Sequence, residues 1–175
     1  SKKVFELDSK NIDVIWNGMT IDDELLNTTS CSDPYVVNAQ VLVMKADKLA
    51  SYPDAASIKD LSIAVENGST GEKAAKAAGC TNLVAVQDMA TALMEVAAGT
   101  SQACVVDITA AKAMTGEGTS YPDLGIGFSL VSEEYGIGFR KGSDVTAKLN
   151  EFLAKLKANG QLQALATKYN LTLAE

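Results

Sequence analysis

A short apolar segment, then a turn rich in Gly, Ser, Thr or Asp, then a helical segment: this order recurs along the chain. The clearest case is Leu61–Val65, whose alternating apolar residues predict a strand and which leads into an alanine-rich helical segment over residues 71–78. Residues 83–86 and 103–106 are further apolar strands, each followed by a helical pattern. Because parallel strands need crossover connections, this alternation predicts an α/β fold with largely parallel sheets.

The two ends of the chain extend the same pattern. Ile12, Val14 and Trp16 alternate as in a buried strand, which Asn17-Gly18 is expected to end before a short helix over residues 21–27. Residues 125–131 and 135–139 predict two strands separated by Glu133-Glu134. The C-terminal part predicts two helices interrupted at Asn159-Gly160, the first with a single stripe of apolar residues. That stripe consists of Val145, Leu149, Phe152, Leu153 and Leu156.

Composition limits the classes of partner. Apolar residues make up 47% and charged residues 21% of the 175 residues, which is typical of a globular chain of one or two small domains. The net charge of −7 comes without a basic cluster, which argues against nucleic acid or an anionic membrane as a partner. No apolar run is long enough to span a bilayer.

The cysteines and the lack of histidine restrict the chemistry. Cys31, Cys80 and Cys104 have no zinc-site spacing, and we expect three free thiols rather than a disulfide framework. The sequence contains no His, so neither a Ser-His-Asp triad nor a Cys-His dyad is available. We therefore expect no metal site and no cofactor.

Two loops carry groups that could bind a small molecule. Gly68-Ser69-Thr70 lies between a strand and a helix start, where backbone N–H groups bind anions, although Ser69 and Glu72 also have the spacing of a helix-capping box. Asp107 ends an apolar strand and is either an N-cap or a ligand for a cation. The local sequence alone leaves both alternatives open at each position.

Taken in order, several motifs resemble the amino-acid-binding substrate-binding proteins of ABC transporters, known as solute-binding protein family 3. The matching segments are Asp13-x-Ile15-x-x-Gly18-Met19-Thr20-x-x-Asp23-Glu24, Ser32-Asp33-Pro34-Tyr35, Val65-x-x-Gly68-Ser69-Thr70, Ala103-Cys104-Val105-Val106-Asp107, Tyr135-Gly136-Ile137-Gly138-Phe139-x-Lys141-Gly142-Ser143 and Lys168-Tyr169. The resemblance extends over nearly the whole chain. It implies a type II periplasmic-binding-protein fold, in which two α/β lobes, each with a mostly parallel sheet, close on a ligand.

The resemblance also implies a domain division and a set of ligand contacts. Lobe one would comprise residues 1–44 and 135–175, and lobe two residues 45–134. Lobe one would contact the ligand through Asn17, Gly18 and Thr20. In lobe two, Gly68, Ser69 and Thr70 would bind the α-carboxylate of an amino acid, and Asp107 its α-ammonium group.

The sequence departs from the family pattern in two places. The family usually has an Arg that clamps the ligand carboxylate, and Leu25 occupies its position here, which should weaken or alter carboxylate binding. The family also begins with a strand-helix-strand unit that has no counterpart before Ser1. We therefore expect an incomplete lobe one, with apolar side chains such as Phe5 and Trp16 uncovered, and self-association through that lobe.

The function that the resemblance implies is the extracytoplasmic ligand-binding component of an ABC importer. Such a protein binds a small molecule, delivers it to a permease and catalyses no reaction. An enzyme on the same fold, a dehydratase of a cyclic carboxylic acid, is the first alternative and would need an Asp or Glu with a raised pKa as its acid or base. The ligand-sensing ectodomain of a receptor is the second alternative.

Overall fold

The computed structural model describes residues 2–175. Its helices are α1 (Lys2–Asp8), α2 (Asp23–Thr28), α3 (Thr70–Ala77), α4 (Met89–Ala98), α5 (Ile108–Met114), α6 (Val145–Ala158) and α7 (Gln161–Lys168), with a 3-10 helix at Ala46–Ser51. Its strands are β1 (Ile15–Thr20), β2 (Thr29–Cys31), β3 (Val36–Lys45), β4 (Ile63–Glu66), β5 (Leu83–Val86), β6 (Ala103–Asp107), β7 (Leu124–Arg140) and β8 (Thr172–Leu173). The α/β fold class predicted from the sequence is confirmed.

The chain divides into two compact units. Unit 1 contains the residues up to Val37 together with Glu133–Glu175, and unit 2 contains Asn38–Ser132. Only β3 and β7 run from one unit into the other. The boundaries expected from the resemblance, 44/45 and 134/135, lie a few residues further along the chain than these divisions.

The sheet of unit 2 brings the ends of β4 and β6 together. β4 pairs in parallel with β5 on one side and with β6 on the other, and Val65 lies opposite Val105. β6 also pairs with β3, in the antiparallel direction. The parallel pairing expected from the strand-helix alternation is therefore present in unit 2, and the carboxyl ends of β4 and β6 meet at one edge of the sheet.

Both faces of the unit 2 sheet are buried. Side chains alternate between the faces along β3, so that Val41 and Val43 pack with Leu93 of α4 while Leu42 and Met44 pack on the opposite face. α3 covers that second face through Ala75. Every residue of β6 is buried, which explains why its sequence reads as a continuous apolar run instead of an alternating one.

The strand pairs of unit 1 differ from the mostly parallel sheet expected for lobe one. β1 and β2 both pair with β7, and the pairs β1–β7, β2–β7 and β8–β3 are antiparallel. Gly138 lies opposite Ile15 on one side and Cys31 on the other. β1 and β2 are therefore parallel to each other, with α2 as their crossover, but a strand of opposite direction lies between them.

β7 is one continuous strand, not the two strands predicted around Glu133-Glu134. It extends from Leu124 to Arg140, and the carbonyl oxygen of Glu134 accepts the N–H of Ile21 at 2.9 Å. Two charged residues did not end the strand because their backbone stays extended and paired while their side chains remain at least partly exposed.

β1 begins and turns differently from the prediction. Ile15 and Met19 are the buried residues, whereas Val14 and Trp16 are exposed, so the predicted buried face is wrong. The register against β7 is irregular between Ile15 and Met19. Gly18 lies inside this bulge with φ of +71°, a conformation that glycine adopts easily, so that it distorts the strand without ending it.

The predicted apolar stripe of α6 is only partly covered. Leu149, Leu153 and Leu156 are half-buried, whereas Val145 and Phe152 are exposed, and no residue of α6 is fully buried. The stripe is wider than the face of α6 that the rest of unit 1 covers. The expected exposure of Phe5 and Trp16 is confirmed. Among residues 2–175, no helix has both the length and the apolar character that a membrane crossing requires.

A small apolar core holds the start of unit 1 together. Val4 and Leu7 of α1 pack with Ile15, Met19 and Leu25, the last of these from α2. The guanidinium of Arg140 donates to the carbonyl oxygens of Leu7 at 3.3 Å and Ile12 at 2.8 Å, and pairs with Asp13 at 2.8 Å. These bonds attach the segment after α1 to the end of β7.

The neighbours Leu25 and Leu26 allow a test of this core. Leu25 is 7% exposed and Leu26 is 47% exposed. We expect Leu25→Arg to lower the free energy of unfolding by about 3 kcal/mol or more, because it would bury an unpaired charge, and Leu26→Arg to change it by less than about 0.5 kcal/mol. Urea denaturation followed by circular dichroism measures both, and equal effects would contradict the assignment of Leu25 to the core.

Candidate functional site

The unit 2 residues expected to bind a ligand lie at one edge of the sheet. Gly68, Ser69 and Thr70 follow the carboxyl end of β4, and Asp107 is the last residue of β6. Because β4 and β6 are parallel neighbours, the turn and the carboxylate lie side by side. The carboxyl edge of parallel strands is where α/β proteins commonly bind small molecules.

The start of α3 is capped as the sequence predicted. The hydroxyl oxygen of Ser69 accepts the N–H of Glu72 at 3.1 Å, and the Glu72 carboxylate accepts the N–H of Gly68 at 2.7 Å. Glu72 also bonds Lys76 at 2.6 Å. These contacts, first that with Lys76 and then that with Gly68, lower the pKa of the Glu72 carboxyl group.

Two donors at the start of α3 have no protein acceptor within the described part of the chain. The cap uses the N–H of Glu72, and the N–H of Lys73 donates to the carbonyl oxygen of Ser69 at 3.2 Å. The N–H groups of Thr70 and Gly71 belong to the first turn, where the helix itself supplies no acceptor. With the positive end of the helix dipole, such groups bind anions.

Asp107 is the N-cap of α5. It is 6% exposed, and its Oδ1 accepts the N–H groups of Thr109 at 2.7 Å and Ala110 at 3.2 Å. The capping alternative from the sequence is thus confirmed. It does not exclude a ligand contact, because a carboxylate offers about four lone-pair sites on its two oxygens.

Two residues that the sequence analysis did not single out adjoin this edge. Gln40 lies opposite Asp107 in the β3–β6 register and is 2% exposed. A Cβ built on Gly71 would lie 2.9 Å from Oε1 of Gln40 and 2.9 Å from the carbonyl oxygen of Val105. The available signal was one amide side chain within the otherwise apolar stretch of residues 39–44.

The unit 1 residues expected to contact a ligand lie on β1. Asn17 and Gly18 are exposed within the bulge, and a Cβ on Gly18 would be 3.4 Å from the ring of Tyr135. The hydroxyl of Thr20 donates to the carboxylate of Glu133 at 2.9 Å. Glu133 was expected only to separate two strands, and its contact with Thr20 requires the continuous β7.

An aromatic pair lies next to Asn17 in sequence. The rings of Trp16 and Tyr35 meet edge to face, with centroids 6.5 Å apart. Burial raises the pKa of the Tyr35 phenol, and a hydrogen bond with Trp16 opposes this shift. The alternating pattern assigned Trp16 to the core, whereas the expectation of an incomplete lobe one left it exposed, and the structure shows it exposed.

The acidic and thiol side chains bear on the expectations from the sequence. Among the described residues, no group of three or more His, Cys, Asp or Glu side chains is placed to hold a metal ion. The three cysteines are free thiols, as predicted. Burial raises the pKa of the Cys104 and Cys80 thiols, so both stay protonated near neutral pH.

Comparison with known proteins decides the family. The model of the bacterial extracellular solute-binding proteins, family 3, matches residues 1–172. The chain belongs to this family. The resemblance noted from the sequence motifs is confirmed, and the fold is that of the type II periplasmic binding proteins.

Curated relatives of this family 3 chain carry the names of amino-acid-binding proteins. A probable histidine-binding protein of Neisseria gonorrhoeae is 28% identical over 93% of the chain and 62% of its own length. The L-cystine-binding protein TcyJ of Escherichia coli K12 is 28% identical with the same coverage. The L-arginine-binding protein of Pseudomonas aeruginosa is 29% identical over 91% of the chain. The chain thus spans 62% of the length of the first two relatives.

Solved structures agree with this placement. The arginine-, lysine-, histidine-binding protein ArtJ of Geobacillus stearothermophilus has a TM-score of 0.81 at 27% identity, covering 95% of this chain and 73% of its own. Holo ArgBP from T. maritima has a TM-score of 0.79 at 32% identity, and the match covers 89% of this chain and 68% of the ArgBP chain. An ancestral amino acid-binding protein described as a precursor of cyclohexadienyl dehydratase has a TM-score of 0.84 at 25% identity. That match covers 95% of this chain and 72% of the ancestral protein.

Proposed function

We propose that this family 3 chain is the amino-acid-binding component of an ABC importer and works outside the cytoplasm with a membrane permease. The observation that carries the proposal is the meeting of the α3 start and Asp107 at one edge of unit 2. Its support from the comparisons is the family match and the amino-acid-binding relatives. Capture and delivery of the ligand require no catalytic group.

The start of α3 is suited to the α-carboxylate of an amino acid. The N–H groups of Thr70 and Gly71 have no acceptor among residues 2–175 and lie at the positive end of the helix dipole. Hydrogen bonds from such groups to a carboxylate are charge-assisted and stronger than neutral ones. Since Leu25 is buried where the family usually has an Arg, we assign carboxylate binding chiefly to these backbone donors.

Asp107 is suited to the α-ammonium group. Its carboxylate lies beside the turn that would hold the carboxylate of the same amino acid. The histidine, cystine, arginine and glutamine named for the relatives share the α-carboxylate and α-ammonium groups but differ in their side chains. The unit 2 residues would therefore bind the common part, and we keep Asn17, Gly18 and Thr20 as the candidate contacts of unit 1.

A second candidate function is the dehydration of a cyclic carboxylic acid. The likeness to an ancestral protein described as a precursor of cyclohexadienyl dehydratase favours it. The same anion-binding turn would hold the acid, and a carboxyl group such as Asp107 would transfer the proton. Incubation with candidate cyclohexadiene carboxylic acids followed by chromatography distinguishes the two functions, because the transport function predicts no product.

The role of the Thr70 N–H is testable with proline. Thr70 is the first residue of α3, a position that tolerates proline, and the preceding Ser69 has a compatible extended backbone. We expect Thr70→Pro to leave the unfolding free energy nearly unchanged but to weaken binding of L-arginine by about tenfold or more, since it removes one donor to a charged group. Isothermal titration calorimetry measures the affinity.

Ser69→Ala is the matched control for that experiment. It removes the cap on the Glu72 N–H and should lower the unfolding free energy by about 1 kcal/mol, yet it keeps every backbone donor. Its affinity for L-arginine should stay within about threefold of wild type. The assignment to backbone donors is wrong if the alanine variant loses as much affinity as the proline variant.

The charge of Asp107 is tested by Asp107→Asn. The amide oxygen can still cap α5, so we expect a change in unfolding free energy below about 1 kcal/mol. Affinity for L-arginine should fall at least about tenfold, because the ammonium group loses its charged partner. Calorimetry with L-arginine, L-histidine, L-glutamine and L-cystine covers the ligands named for the relatives.

Asp88→Asn is the control for Asp107→Asn. Asp88 caps α4 in the same way, accepting the N–H of Thr91 at 2.8 Å, and this bond lowers the pKa of its carboxyl group. The substitution should leave amino-acid affinity unchanged. If Asp107→Asn also leaves the affinity unchanged in a folded protein, Asp107 is a helix cap only.

A further inference from the structure

We propose that Gln40 is a positioning residue for the anion-binding turn of unit 2, acting through Gly71. This inference rests on the proposed function, because it assigns to Gln40 the placement of the donors that would bind the carboxylate. Gln40 itself need not touch the amino acid. Its effect is on where the first turn of α3 lies relative to Asp107.

Gln40 lies on the face of the sheet that α3 covers. Side chains two residues apart share a face of a strand, so Gln40 lies on the same face as Leu42 and Met44. Those two residues belong to the cluster that includes Ala75 of α3. Gln40 is nearer to the edge where β6 ends, since it lies opposite Asp107.

The first turn of α3 is in close contact with Gln40. A Cβ on Gly71 would be 2.9 Å from Gln40 Oε1, 2.9 Å from the Val105 carbonyl oxygen and 3.4 Å from the Ser69 hydroxyl oxygen. Contacts below 3.0 Å force a displacement, and the Val105 oxygen belongs to the backbone of a fully buried strand. The helix start can approach β6 this closely only because residue 71 is glycine.

The chemistry of Gln40 fits this location. Its side chain is 2% exposed and reaches the edge where an anion is proposed to bind. An amide adds polar atoms without charge. A carboxylate at the same position would place a second negative charge near both Asp107 and the bound anion, which would disfavour binding of the anion. The neutral amide thus sets the position of Gly71 and preserves the site for a negatively charged group.

The first test compares two ligands that differ only in the carboxylate. Binding of L-arginine and of L-argininamide is measured by calorimetry for wild type and for Gln40→Glu. We expect the variant to lose at least about tenfold more affinity for L-arginine than for L-argininamide. Val41→Ala is the control, since Val41 is buried on the opposite face of the same strand, and it should leave the ratio of the two affinities unchanged. An equal loss for both ligands in Gln40→Glu overturns the proposal.

The second test needs no ligand. Amide hydrogen exchange of Glu72 and Lys73 reports the first turn of α3, because their N–H groups bond to Ser69. We expect Gln40→Met, which keeps the length of the side chain but removes its amide, to speed this exchange at least about tenfold. Val41→Ala should not change it beyond the general loss of stability. Unchanged exchange in Gln40→Met overturns the positioning role.

The two tests separate the failure of each proposal. If wild type binds none of L-arginine, L-histidine, L-glutamine and L-cystine, the proposed function of this chain fails, and the exchange measurement alone decides the role of Gln40. If wild type binds L-arginine while Gln40→Glu keeps the wild-type ratio, the proposed function stands and the role assigned to Gln40 is wrong.

Discussion

The parallel pairing of β4 with β6 is the interaction on which the candidate site depends. It places the turn before α3 beside Asp107, two features separated by more than thirty residues in sequence. Both strands are buried on their two faces, so the pairing is held by the core and not by the site residues themselves. Removing a backbone donor from the turn, or the charge from Asp107, should therefore alter binding more than folding.

Helix capping and the proposed ligand binding use neighbouring groups in this unit. Ser69 and Glu72 satisfy some donors at the start of α3 and leave those of Thr70 and Gly71 for an anion, as far as residues 2–175 show. Asp107 caps α5 while its carboxylate stays at the same edge. The capping interpretation of each motif was correct and the functional one is compatible with it, since an N-terminal cap is itself an arrangement of backbone N–H groups around a negative or polar atom.

The sequence predicted much of unit 2 and less of unit 1. Strand-helix alternation predicted β4, α3, β5, α4, β6 and α5 because each strand is short, apolar and followed by a recognisable cap. Trp16 was assigned to the core because the alternating pattern was followed from Ile12 to Trp16, whereas β1 begins only at Ile15 and buries Ile15 and Met19 instead. Glu133 was assigned to a break because local polarity does not reveal that β7 stays paired across it. The location of Gln40 next to Gly71 was not predicted, because no local sequence pattern encodes a contact between β3 and the start of α3.

The most direct test of the account is a titration of the isotopically labelled chain with L-arginine and the other amino acids named for the relatives, followed through its amide resonances by nuclear magnetic resonance. The account predicts that the largest shifts occur at the Thr70 and Gly71 amide protons, in the direction expected for new hydrogen bonds to a carboxylate, with further changes at residues 107–110. Binding that leaves Thr70 and Gly71 unchanged while shifting resonances elsewhere would contradict the assignment of the site.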